Sequence, residues 1–194
     1  METLKAKRKE FEIIEKLGEK SYHVRYKKKE YFYKKLDLED DSFFAWLNNY
    51  KTLKVAGILM PKMFIIDKKE GVFVEEFIPG ETVFDALLKD DLTDDYLKPV
   101  FINEFYEKQD NIALDYHPEN WKLFNGKMYY LIHEFTRPYE HEKSFSKHGI
   151  FFWFYTKTFT DYASSKGHPI DSNRVKSEYE TNREILKTVV QFHL

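Results

Sequence analysis

Apolar and polar residues alternate along Tyr22-His23-Val24-Arg25-Tyr26, and after Lys27-Lys28-Lys29-Glu30 a second run extends from Tyr31 to Leu36. A period of two predicts half-buried strands, and the polar run between them predicts a turn, so this segment reads as a hairpin. Phe11-Glu12-Ile13-Ile14 opens an earlier strand that closes in a turn at Leu17 to Ser21. Met63 to Phe77 repeats the hairpin pattern around Asp67-Lys68-Lys69-Glu70-Gly71. Between the hairpins, Phe43, Trp46, Leu47, Tyr50 and Leu53 recur at helical spacing up to Gly57, a residue suited to ending a helix. Further helices are expected from Thr82 to Lys89 and from Tyr96 to Gln109, the second packing Phe101 and Phe105 inward. Ile150 to Tyr155 predicts a buried helix, and Val175, Tyr179, Leu186 and Val189 mark an amphipathic one between Asp171 and Phe192. Strands first and helices afterwards imply an α+β chain: a small antiparallel sheet with one helix, then a mainly helical part.

Composition narrows the class. A chain of 194 residues that is 42% hydrophobic can bury a sizeable core. It has no apolar run of membrane-spanning length, of the order of 18 residues. Met1 to Lys9 lacks the apolar core of a signal peptide, so the expected location is cytoplasmic. The absence of cysteine excludes disulfides, thiol chemistry and thiolate-bound zinc. A formal net charge of −2 argues against a general nucleic-acid coat. The aromatic content of 18% is read as core packing rather than base stacking.

The densest chemistry lies in Asp115-Tyr116-His117-Pro118-Glu119-Asn120, followed by Trp121-Lys122-Leu123, an Asn125-Gly126 turn, and Met128 to Phe135. An aspartate and an asparagine on one short loop, leading into a hairpin that returns another acid, can supply a base for a hydroxyl and oxygen ligands for magnesium. Asp115 is the candidate base, and Asn120 with Glu134 the candidate metal ligands. Lys34 lies on a strand with an inward face, where a lysine requires an anionic partner. Lys35 would face the other way, and a register error of one residue would exchange the two.

The loop resembles the Asp-x-His-Pro-x-Asn pattern of the protein-kinase-like superfamily, nearest to the aminoglycoside and choline kinase branch. Tyr31-Phe32-Tyr33-Lys34 is similar to that family's third strand, Gly57 to Lys62 to the approach to the fourth, and Val72 to Glu81 to the strand and hinge between lobes. The resemblance covers roughly residues 13 to 135. It implies a two-lobed kinase-like fold, with an N-lobe and hinge over 1–80 and a helical C-lobe over 81–194. It also implies ATP and Mg2+ as cofactors, with Lys34, Val24, Glu76 and Ile78 around the nucleotide, and a hydroxyl on a small-molecule or glycan-like acceptor as substrate.

Several positions depart from the family pattern. Ala113 stands where a histidine is usual, His133-Glu134-Phe135 where an aspartate precedes an apolar residue, and Asn48-Asn49 where a helix glutamate pairs with the strand lysine. Glu75 is the expected substitute partner of Lys34. Phe32 takes a small-residue position and can fill the adenine slot, and the first turn carries only Gly18. These features support an alternative, a pseudokinase acting as a binding module for a protein partner. RNA binding through Arg25 to Lys35, and a metal set of His133, His141, Glu142 and His148, are the remaining readings.

Overall fold

The computed structural model describes residues 2–38, 42–89, 94–154 and 156–171. In chain order they form β1 (Thr3–Ala6), β2 (Lys9–Gly18), β3 (Ser21–Tyr26), β4 (Lys29–Lys35), α1 (Ser42–Val55), β5 (Met63–Asp67) and β6 (Val72–Glu76). There follow α2 (Val83–Lys89), α3 (Asp94–Asp110), β7 (Trp121–Phe124), β8 (Lys127–Tyr130) and α4 (Lys157–Ser165). The architecture is α+β, and both expected hairpins and the helix between them are present. β1 is an additional strand that the sequence pattern did not announce. The helix expected between Asp171 and Phe192 lies, after Asp171 itself, outside the described residues.

The first six strands form one antiparallel sheet in the order β1-β2-β3-β4-β6-β5. It curls until its two edges meet: the Lys7 backbone N–H donates to the Asp67 carboxylate at 2.7 Å, and the Tyr33 hydroxyl donates to the Lys5 carbonyl at 3.0 Å. Strand alternation then separates two cores. Phe11, Val24, Tyr31, Tyr33, Val72 and Val74 fill the inside of the curl. Phe73 points the opposite way and joins the larger core, in which α1, α2 and the segment from Ile112 to Ala163 are packed.

Two expectations are corrected. Phe105 is 64% exposed. α3 turns Leu97, Val100, Glu104 and Glu107 inward, a stripe at i, i+3, i+7 and i+10, and Phe105 lies about 100° round from Glu104. Of the segment Ile150 to Tyr155, the described residues 150–154 do not form an α-helix. Gly149–Phe152 is one 3-10 turn, after which Trp153 and Phe154 bury their rings in the core. Six residues are too few to nucleate a helix without a neighbouring turn, and here the aromatic rings are distributed over several contacts instead. The Trp153 indole donates to the Tyr116 carbonyl at 2.8 Å, so this turn supports the aspartate loop. A Cβ on Gly149 would stand 2.6 Å from the Cβ of Tyr116, which leaves room only for glycine.

Candidate functional site

A cleft of about 630 Å³ opens between one face of the sheet and the chain leaving β8. Its lining includes Phe32, Lys34, Glu76, Ile78, Lys122 and Glu134. The register of β4 explains Lys34: it shares a face with Phe32, while Lys35 points away and pairs with Glu70 at 3.7 Å. Val24, expected at the nucleotide, is turned to the other side. It is fully buried inside the curl opposite Tyr31, and its neighbour His23 takes the cleft-side position opposite Phe32, stacked on Phe77 with ring centroids 3.7 Å apart.

Glu75 is not the ion-pair partner of Lys34. In the β4–β6 ladder Glu75 stands opposite Phe32, and Lys34 opposite Phe73, so the two charges are offset by two residues. Among the described residues no carboxylate lies within 4.0 Å of the Lys34 ammonium, although its charge still acts on Glu75. The nearest ionisable partner of Glu75 is His133, with Nε2 3.2 Å from a carboxylate oxygen. Both residues are almost wholly buried, and the contact is too poorly aligned to be a hydrogen bond. Burial raises the Glu75 pKa, opposed by His133 and then Lys34. The other ring nitrogen of His133 accepts from the Trp46 indole N–H at 2.7 Å. An indole can only donate, so Nδ1 carries the lone pair and the proton of the neutral ring sits on Nε2.

The aspartate loop is held from several sides. The Asp115 carboxylate accepts from the His117 backbone N–H at 2.9 Å and contacts the His117 ring at 2.5 Å. Burial alone would raise its pKa, but the hydrogen bonds from the His117 ring and backbone, the histidine charge and the Asn120 amide together lower it. The bond to Asp115 is also the main reason that the His117 pKa is raised. Asp115 nevertheless keeps 42% of its side chain exposed and so remains accessible to a substrate. The Asp115 backbone N–H donates to the Tyr130 hydroxyl at 3.1 Å, and that hydroxyl donates to the Glu134 carbonyl at 2.8 Å. The Leu131 N–H bonds the Asn120 carbonyl at 2.8 Å. Two short links therefore tie the loop bearing Asp115 and Asn120 to the strand exit that brings Glu134 into the cleft.

Glu107 supports this loop from beneath, and the spacing within the motif gave no sign of it. Fully buried, it accepts from the Leu114 N–H at 2.6 Å and from the Tyr116 hydroxyl. The signal available beforehand was a glutamate on the inward stripe of α3. Burial raises its pKa to about 7, against the lowering effect of these two donors. With the folded value above the unfolded one, the folded state binds the extra proton, so stability falls as pH rises from the ordinary carboxylate range toward 7. Glu107→Gln keeps an acceptor and removes the titration. Urea unfolding should find this variant more stable than the parent above pH 7, by up to about 3 kcal/mol, with the difference vanishing near pH 4. An equal difference at both pH values would exclude Glu107 as the titrating group.

Among the described residues no three His, Asp or Glu side chains converge as a metal site, so the set of His133, His141, Glu142 and His148 is not assembled. Both His133 nitrogens face other groups, which leaves Glu134 as the open acid of the pair. Magnesium commonly keeps several waters and takes only one or two protein oxygens beside phosphate. The amide oxygen of Asn120 and the Glu134 carboxylate fit it by donor type.

Lys122 is the unanticipated residue of the cleft. Its ammonium donates to the Ile78 carbonyl at 3.2 Å and lies 5.5 Å from the centre of the Phe77 ring. Burial lowers its pKa, opposed by the charge of Asp85. It thus occupies a backbone acceptor in the segment expected to meet a nucleobase. The Glu76 N–H is likewise bonded to the Lys62 carbonyl at 2.9 Å. No helix of the described residues is long and apolar enough to cross a membrane. In comparisons with known proteins, no family model matches this chain and no curated protein matches it.

Proposed function

We propose that the protein is an ATP-dependent phosphotransferase of kinase-like, two-lobed fold, divided near residue 80, that acts in the cytoplasm on a hydroxyl of a small-molecule or glycan-like acceptor. The observation that carries this reading is the accessible Asp115 carboxylate, held ionised by His117 and Asn120 and linked through Tyr130 to the cleft residue Glu134. In the reaction the acceptor oxygen bonds the terminal phosphorus, the bond from that phosphorus to the diphosphate oxygen breaks, and the hydroxyl proton passes to Asp115. Lys34, a cleft cation without an ion-pair partner among the described residues, meets the phosphates. Asn120 and Glu134 are the oxygens suited to Mg2+, which when bound neutralises charge developing on the phosphates.

One observation favours the second reading, a pseudokinase. The ring of His133 is spent on Trp46 and Glu75, and only one acid of the segment is open to metal. Thermal denaturation with ATP, with and without magnesium, separates the two. A ligand at about a hundred times its dissociation constant adds about 2.7 kcal/mol, a midpoint rise of roughly 5 to 10 °C for a chain of this size. The phosphotransferase requires a rise that depends on magnesium, followed by nucleoside diphosphate release in an acceptor screen. No rise with either form contradicts nucleotide binding and directs attention to protein partners.

A further inference from the structure

A second concavity, of about 1180 Å³, shares no residue with the cleft. It lies where the edges of the curled sheet meet. Lys7, Arg8 and Lys9 border one side, Lys68 and Lys69 the turn after β5, and Lys51 of α1 completes six basic side chains against the two acids Asp67 and Glu70. The two acids leave an excess of positive charge. The Asp67 carboxylate accepts from the backbone N–H groups of Lys7 and Lys69 at 2.7 and 3.2 Å, and Glu70 pairs with Lys35. Among the described residues none of the six basic groups has a carboxylate within 4.0 Å. The Phe64 ring on the rim is 40% exposed, and Lys9 reaches to 5.7 Å from its centre.

Cations brought together from three separate segments repel one another unless an anion joins them, and these line a concave surface with an aromatic at its edge. We propose that this groove binds a single-stranded phosphodiester chain. Such a strand carries one charge per nucleotide, which suits cations distributed along a groove, and its bases can stack on an exposed ring. A bilayer is a broad surface and does not enter a concavity. The basic hairpin at Arg25 to Lys35 is a poorer candidate, because Arg25 is compensated by Glu12 and Glu30. The overall charge of −2 conceals the groove because the acids lie elsewhere on the chain.

The test is fluorescence anisotropy with labelled 12-nucleotide oligo(U) and oligo(dT) over a salt series, with phosphatidylserine vesicles and a poly-glutamate peptide in parallel. With three or four phosphates engaged, log K should fall with log salt at a slope of roughly −2 to −3. The Lys51→Glu/Lys68→Glu/Lys69→Glu variant should lose at least about tenfold in affinity, whereas Lys27→Glu/Lys28→Glu/Lys29→Glu, at the turn between β3 and β4, should lose clearly less. If the first variant fails to fold, Lys68→Ala/Lys69→Ala carries the test, with the slope expected to shrink by roughly 1. Stronger binding to oligo(U) than to oligo(dT) identifies the strand as RNA, and equal binding identifies the shared backbone as the ligand. Absence of oligonucleotide binding, equal loss in the Lys27 to Lys29 variant, or binding confined to vesicles or poly-glutamate overturns the proposal. None of these outcomes depends on nucleotide binding in the cleft.

Discussion

Asp115→Asn is expected to lower turnover by roughly 10² to 10⁴-fold, the range for losing a positioned general base, while the protein stays folded. Asparagine keeps an oxygen for the His117 backbone N–H, so the loop retains the bond now made at 2.9 Å. It cannot take the hydroxyl proton. The Asp115 pKa is lowered, chiefly because its bonds to His117 outweigh burial, so the carboxylate is ionised throughout the neutral range. Its contribution to stability is present above the ordinary aspartate pKa and is lost only as pH falls through the lower folded value. Asp115 should therefore impose no acid limb on activity between pH 5 and 8. The decisive comparison is single-turnover phosphoryl transfer in parent and variant, beside their affinity for magnesium and ATP. Retained affinity with lost transfer supports the assigned role. Full transfer by the variant excludes Asp115 as the base, and loss of affinity with unchanged chemistry would make it a binding group.

His133→Ala should destabilise the fold by about 3 to 5 kcal/mol, as expected when one partner of a buried pair is removed. That is a fall of roughly 6 to 20 °C in midpoint. The ring leaves behind a Trp46 indole N–H without its acceptor and a Glu75 carboxylate without its nearest positive or donating neighbour. Glu75 is about 2% exposed, so water does not substitute freely. Replacing both members by apolar groups of similar size, as in His133→Leu/Glu75→Met, should recover much of the loss, since neither buried polar group then needs a partner. A neutral His133→Ala would show that the ring bears no load. A paired replacement no better than the single one would assign the cost to the Trp46 contact. The same substitutions bear on function. If magnesium-dependent ATP affinity survives in the paired variant, the metal-facing chemistry belongs to Asn120 and Glu134, and His133 serves as structure.

The difference between Lys34 and Val24 shows how far local pattern reaches. Alternation predicted β3 and β4 and required that one of Lys34 and Lys35 face inward, but alternation has two phases and does not say which face of a two-sided sheet borders a cavity. That choice follows from which face packs on α1 and which closes inside the curl. Because β4 carries Phe32 on one face and Tyr31 and Tyr33 on the other, its composition could not distinguish them. Glu75 illustrates a second limit. Its acidic character at the end of an apolar strand was legible, but its partner depended on the register between β4 and β6 and on a histidine distant in sequence.

What the sequence determined by itself was mostly local. The strands of the two hairpins and α1 follow from periodicity and turn chemistry, which act over a few residues. The failure of residues 150–154 to form a helix was decided by tertiary packing, where burial of Trp153 and contact with Tyr116 outweigh a weak helical preference. The outward turn of Phe105 was decided by the stripe that α3 presents to the core. Glu107 beneath the loop, Lys122 on the Ile78 carbonyl and the six cations at the sheet seam all depend on residues far apart in the chain. The groove exists only because the sheet curls far enough to bring β1 to β5. Side-chain period records which way a residue points along its own element, whereas a site is made where elements meet, and that meeting is set by the packing of the whole chain.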